Sequence, residues 1–414
     1  METIEINSTI KNNVSNNNSN KKIKRIHPST SYNEFFTNYL QPNQPCVIQS
    51  GITNNWPCGT HWNQNKAPNL NYLQQIYGQS DVPVANCHVK YFNAHEKTTM
   101  KMHDYINYWI NYINNSYNNN SPLLYLKDWH CLKDTNKAIY NVPKFFASDW
   151  LNEYYLAHPE LNDDYMFVYM GPKGSWTSFH VDVFKSYSWS ANIVGKKRWL
   201  LLKPGCEKLY YDSYGNLPHD IETLINNNTD DNNNNNNSGD DDNDILEIIQ
   251  EPGEIVFVPS GYYHQVTNIE DTISINHNFI NSCNIWNIWI ELKLSLNDVM
   301  NEIKDCYDMD NWNDQCQLLL KASNGINYIE FYKFLYFILT KRIDSLNNNK
   351  QCCSFDKFTL GYNHCIFDIK SAKYVLDNFI EDVNDKNIFD IVIVDNNVDE
   401  LIEKINDILL IVDI

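Results

Sequence analysis

A histidine and an aspartate two residues apart, in Phe179-His180-Val181-Asp182, are the sharpest chemical signal in this sequence. On an extended strand residues i and i+2 point to one side, so this imidazole and this carboxylate can reach a single ion. With a histidine from elsewhere in the chain they make the two-histidine, one-carboxylate face that holds Fe(II) in non-haem oxygenases. Three protein ligands leave positions open for 2-oxoglutarate and O2. Alone the pair is weak evidence, because 12 histidines and 51 acidic residues produce such matches by chance. His158-Pro159-Glu160, in a Pro-containing turn, is one of them.

The third ligand is expected at His264. It follows Gly253-Glu-Ile-Val-Phe-Val-Pro-Ser-Gly261, where a strand and a Pro/Gly turn bring the chain back to the same end of a barrel. Between the two halves, Gly195-Lys196-Lys197-Arg198-Trp199 opens a buried-looking strand with cations. A lysine pointing into a dry barrel is costly unless it meets an anion. The far carboxylate of 2-oxoglutarate is such an anion. Lys196 and Arg198 read equally well as a solvated basic turn.

These residues need strands to hold them, and residues 165–280 supply the pattern. Met166–Met170, Ser186–Val194, Arg198–Leu202, Glu254–Val258 and Thr272–Phe279 read as short strands, punctuated by Gly171-Pro172, Pro204-Gly205, Pro252-Gly253 and Pro259-Ser260-Gly261. Such a series predicts a double-sheet jelly roll. The fold class is therefore mainly β with helices, a double-stranded β-helix with N-terminal α/β elements and a C-terminal helical region. Among the N-terminal elements, Tyr32–Leu40 reads as a helix, Pro45–Ile48 as a strand, Met102–Tyr112 as a helix and Leu123–Leu126 as a strand. Residues 1–30 read as a flexible Asn-rich tail and 31–283 as the catalytic domain. Its Asn/Asp-rich stretch 226–243 cannot bury enough apolar surface to offset its ordering entropy, and reads as a surface loop. Residues 284–414 read as mainly helical, with Ile388–Val394 as a candidate strand.

A formal charge of −19 argues against a partner bound by neutralising phosphates, so no nucleic acid is expected. The 11 cysteines lack a C-x-x-C pair, which favours reduced thiols over a zinc site or disulfide framework. There is no basic-then-apolar leader, and no apolar run reaches about 18 residues. A cytoplasmic protein without membrane contact is the expectation; Lys21–Arg25 leaves the nucleus open.

Several segments together resemble the JmjC oxygenases. They are Thr177-Ser-Phe-His180-Val-Asp182, Trp189, Gly195-Lys-Lys197-Arg-Trp199, Val256-Phe-Val-Pro-Ser-Gly261 and Thr272-Ile-Ser-Ile-Asn276-His-Asn278-Phe279. Val82–Cys87, Tyr125–His130, Ser148–Glu153, Phe167–Gly171, Gly215–Pro218 and Ser323–Asn327 are similar to the group called JmjC domain-containing protein 4. The resemblance covers roughly residues 30–345. It implies iron ligands at His180, Asp182 and His264, and a cosubstrate lysine at Lys197. Tyr125 and Thr177 match hydroxyl donors that assist that lysine, and Asn276 and Asn278 match polar groups lining the same pocket. Ser190 stands where some relatives carry asparagine. It further implies hydroxylation of a lysine carbon in the eukaryotic translation termination (release) factor as protein substrate.

Lysine demethylation on a chromatin protein and a non-catalytic binding module are the rival readings. The first would use the same oxidant but lacks a Cys/His reader module here. The second is disfavoured by an intact ligand set. Tyr187, Trp189, Trp176 and Tyr263 are candidates to line a substrate channel. Trp286, Trp289 and the later helices are read either as a homodimer surface or as packing against the barrel.

Overall fold

The computed structural model describes residues 1–7, 22–118, 120–225, 245–347, 352–388, 393 and 398–412. Eight strands carry the architecture and are numbered here in chain order. They are β1 Met166–Gly171, β2 Trp176–His180, β3 Tyr187–Val194, β4 Lys197–Leu202, β5 Ile245–Gln250, β6 Ile255–Val258, β7 Tyr263–Asn268 and β8 Thr272–Phe279. They form two antiparallel sheets, β2-β7-β4-β5 and β1-β8-β3-β6. The second sheet grows to nine strands. Cys46–Ile48 and Lys24–Ile26 extend it beyond β6, and Leu124–Trp129, Asp81–Tyr91 and Ala94–Lys101 extend it beyond β1. This is the expected jelly roll, with two separate sheets and, among the described residues, no closed barrel.

Side-chain alternation explains how one strand serves two environments. On β3, Tyr187, Trp189, Ala191 and Ile193 join a large apolar core with Phe35, Phe146, Phe257 and Phe279. Ser188, Ser190 and Asn192 take the opposite face. β8 repeats this pattern. Ile273, Ile275 and Phe279 belong to the apolar core, whereas Ser274, Asn276 and Asn278 sit across from the β3 polar residues. A smaller apolar cluster of Trp199, Leu201, Ile248, Val256, Val258 and Val266 fills the β4–β7 part of the roll. One half of the interior is therefore dry, and the other is polar.

Helices Ile285–Glu302, Trp312–Asn324, Tyr328–Asn347, Tyr362–Asp385 and Val398–Val412 make a second core around Trp289, Phe331 and Phe379. Trp289 is 1% exposed within it, so it packs inside the chain and cannot serve as a dimer surface. Arg342 joins this region to the helix Trp150–Ala157 through Glu153.

The N-terminal segment is anchored at two points, unlike a free tail. Glu2–Ile4 pairs in parallel with Phe358–Leu360, and Lys24–Ile26 pairs with Cys46–Ile48. Tyr32–Leu40 is α-helical to Phe35 and π-helical beyond. Loop 226–243 and most of the candidate strand Ile388–Val394 lie outside the described residues.

Candidate functional site

β2 and β7 pair so that His180 stands directly opposite His264. Their rings lie 4.3 Å apart between centroids. The register slips between Thr177 and His180, which lets the chain leave the sheet and swing Asp182 around to the same point. One ligand atom from each of His180, Asp182 and His264 lies within 4.8 Å of the others.

Each of the three is held by its outer atom. His180 Nδ1 lies 2.7 Å from the Ser178 carbonyl and His264 Nδ1 lies 3.1 Å from the Tyr262 carbonyl. A carbonyl only accepts, so both Nδ1 atoms carry the proton and both Nε2 lone pairs are free for a metal. Ser188 donates to Asp182 Oδ2 at 2.6 Å, leaving the other oxygen available. Burial, then the neighbouring His264, pushes the His180 pKa down to about 4, so the ring is neutral as a ligand must be. Two imidazoles and a carboxylate with open positions fit the Fe(II) donor set of non-haem oxygenases.

Deeper in the roll, Lys197 shares one face of β4 with Trp199 and Leu201. Gly195, at φ +75°, makes the turn that starts this strand, and a Cβ there would come within 2.1 Å of the Asp271 carbonyl oxygen. The Lys197 side chain crosses to the second sheet. Its ammonium donates to Ser274 Oγ at 2.7 Å and makes a long contact of 3.5 Å with the Tyr125 hydroxyl. The residue is 1% exposed, and among the described residues no carboxylate lies within ion-pair distance of it. Burial pushes its pKa down to about 7. Lys196 and Arg198, by contrast, are surface cations paired with Glu251, and with Glu222 and Glu247. The strand period therefore separates the buried lysine from its two basic neighbours.

Between the triad and Lys197 lies a polar floor. Asn276 donates to Ser274 Oγ at 3.0 Å, and Asn278 donates to Ser186 Oγ at 3.1 Å. Ser190, opposite Asn276, is buried with its hydroxyl unpartnered. Thr177 is buried on β2, where its hydroxyl accepts the Val266 N–H at 3.1 Å. Among the described residues no hydrogen bond joins it to Lys197; the shortest one the ammonium makes goes to Ser274, which the motif reading did not single out. The alternation of Ser274, Asn276 and Asn278 along one strand was the signal for it.

Three channel candidates face the wrong way. Tyr187 and Trp189 are in the apolar core, with Trp189 stacked on His277 at 4.2 Å. They occupy odd positions on β3, whereas the even ones face the site. Tyr263 is half-buried against Phe179 and Leu202, on the other face of β7 from His264, and Trp176 is half-buried beside the cluster that holds Tyr125.

A family model for a cupin-like domain matches residues 32–285. The chain is 45% identical over 358 residues to the Gallus gallus protein named 2-oxoglutarate and iron-dependent oxygenase JMJD4, covering 84% of this chain and 83% of that one. The Homo sapiens protein of the same name is 41% identical over 353 residues, with 84% and 82% covered. An Arabidopsis thaliana protein named arginine-specific demethylase JMJ20 is 38% identical over 357 residues, with 80% and 75% covered.

Proposed function

From the premise that this chain belongs to the cupin-like JmjC family of 2-oxoglutarate and iron-dependent oxygenases, we propose that it hydroxylates a lysine carbon in a protein, namely the eukaryotic translation termination (release) factor. The observation that carries the oxygenase chemistry is the pairing of a three-ligand metal face with a buried, acid-free lysine at the other end of one polar floor. A metal-binding structural site would need no such cation.

His180 and His264 would hold the metal through Nε2, and Asp182 through the oxygen that Ser188 leaves free. Lys197 would hold the far carboxylate of 2-oxoglutarate, with Ser274 and Tyr125 fixing its ammonium. Thr177 still has a hydroxyl proton to donate toward that carboxylate, and Asn276 and Asn278 line the path between. Fe(II) with 2-oxoglutarate and O2 supplies an oxidant for an unactivated C–H bond, 2-oxoglutarate leaving as succinate and CO2. The chain's own share is positioning, where an error of about 1 Å costs on the order of a hundredfold. Such an enzyme would work in the cytoplasm, beside its substrate; among the described residues no helix is long and apolar enough to cross a membrane.

The test incubates the protein with Fe(II), 2-oxoglutarate, O2 and recombinant release factor, and maps the product by mass spectrometry. A lysine gaining one oxygen atom is expected. An unmodified factor would remove this partner. The name of the Arabidopsis relative favours a second reading, demethylation, and loss of a methyl group from a methylated protein would establish it. His180→Ala should abolish succinate formation; turnover above background in that variant would overturn the metal assignment.

A further inference from the structure

Beside the site, the strand Leu124–Trp129 carries an irregularity that the chemistry described so far does not use. Its pairing with β1 runs Leu126 to Met170 and then Trp129 to Val168, so Lys127 and Asp128 together oppose the single residue Tyr169. This is a β-bulge, and Asp128 sits in it at φ +62°. Bulges re-aim side chains and gather next to active sites, and a left-handed non-glycine residue is a local strain that the surroundings must hold. Aspartate tolerates that backbone better than most residues.

The bulge presents the Asp128 carboxylate to two donors. The Tyr169 hydroxyl donates to Oδ1, and the Lys97 ammonium pairs with Oδ2. Tyr169 belongs to the site: its ring lies 6.0 Å from the Tyr125 ring and 6.0 Å from the Lys197 ammonium. Burial would raise the Asp128 pKa, but Lys97 and Lys127 bring it below the usual carboxylate range. The group is thus anionic at neutral pH. Lys97 itself is a side chain 44% exposed on an outer strand, held by an ion pair that solvent weakens. Asp128 keeps 29% of its side chain exposed, so the carboxylate can be reached from outside. The site thus holds a strained, accessible carboxylate whose present partner is an alkylammonium on a flexible stem.

We propose that Asp128, steadied by Tyr169, is the specificity residue for the substrate's cationic side chain, accepting a lysine ammonium or an arginine guanidinium in place of Lys97. The proposal rests on the reading of this chain as an oxygenase of protein side chains, and adds which residue reads the charged end. Anchoring the charged end would restrict which carbon of the stem meets the metal face.

Binding of N-acetyl-lysine methylamide, N-acetyl-arginine methylamide and uncharged N-acetyl-norleucine methylamide to the full chain, measured by calorimetry, tests it. The wild type should bind the cationic amides about tenfold tighter than the norleucine amide, the scale of a charge-assisted hydrogen bond. Asp128→Asn should erase that preference, and Asp128→Glu should keep part of it. Lys97→Met should tighten cation binding several-fold by removing the internal competitor; a purely structural ion pair predicts no gain. Absence of preference in the wild type, its survival in Asp128→Asn, or weaker cation binding in Lys97→Met would each overturn the proposal. A chain that prefers the cationic amides through Asp128 but leaves the release factor unmodified supports the proposal and removes only that factor as partner.

Discussion

Arg342 and Lys197 are the two most deeply buried cations among the described residues, and their surroundings differ. Arg342, in the helical region, is fully buried and donates to Glu153 at 2.7 and 3.0 Å and to Asp368 at 2.8 Å. Lys197, in the roll, is as deeply buried and meets only hydroxyls. Burial acts against both charges. At Arg342 the field of Glu153, Cys352 and Asp368 outweighs it and raises the pKa, while at Lys197 nothing does and the pKa falls to about 7. A charge neutralised within the fold holds two regions together; one left unneutralised is prepared for an anion that arrives later.

The widest separation should come from removing each cation. Arg342→Met takes the buried guanidinium from Glu153 and Asp368, leaving Lys341 on the first and Trp150 and His364 on the second, and should destabilise the protein by about 3 kcal/mol in denaturant unfolding. Lys197→Met replaces an uncompensated charge by an apolar chain of similar length, and should leave unfolding free energy unchanged or higher. Equal losses in the two variants would erase the contrast. The same Lys197→Met protein should bind 2-oxoglutarate on the order of a hundredfold more weakly, as expected for loss of a buried charge-assisted contact. Titration of the metal-loaded protein reads this directly.

This contrast was half legible in the sequence. Lys197 could be picked out because a short apolar strand follows it immediately, and His180 and Asp182 because they stand two residues apart, although the strand ends at His180 and Asp182 lies just beyond it. Arg342 could not, since its partners Glu153 and Asp368 lie 189 and 26 residues away and no local pattern links them. Trp189 was misread as a channel residue although its place between Ser188 and Ser190 already put it on the other face. Glu2–Ile4 was hidden in an Asn-rich composition, where only the distant partner Phe358–Leu360 makes a strand of it. The bulge at Asp128 had no signal either, since it exists only in the pairing of two strands.

Acidity gives a finer probe of the same contrast. The Lys197 pKa in the cosubstrate-free fold lies below its ordinary value, so protonation favours the unfolded chain. That fold gains stability as pH rises above about 7 toward 10.5, and is insensitive to this group below about 7. Binding has the opposite sign. A carboxylate needs the ammonium, so affinity for 2-oxoglutarate should be flat below about 7 and fall by up to about tenfold per pH unit above it. In Lys197→Met that slope should disappear. A slope retained in the variant would assign the titration to another group.

The smallest expected effect concerns how the lysine is aimed. Ser274 takes the shortest hydrogen bond of the Lys197 ammonium, at 2.7 Å, and also receives Asn276 at 3.0 Å. A hydroxyl cannot neutralise a charge, so its contribution is orientation and partial solvation. Ser274→Ala should therefore leave the unfolding free energy within about 1 kcal/mol, the scale of one hydrogen bond. Affinity for 2-oxoglutarate should weaken several-fold, well short of the Lys197→Met loss. The pH slope should persist, and it should begin at lower pH because the ammonium loses its nearest acceptor. If Ser274→Ala matched Lys197→Met in affinity, the hydroxyl itself would be the anion's principal contact. The cation would then be secondary, and the contrast with Arg342 would have to be drawn on geometry instead of charge.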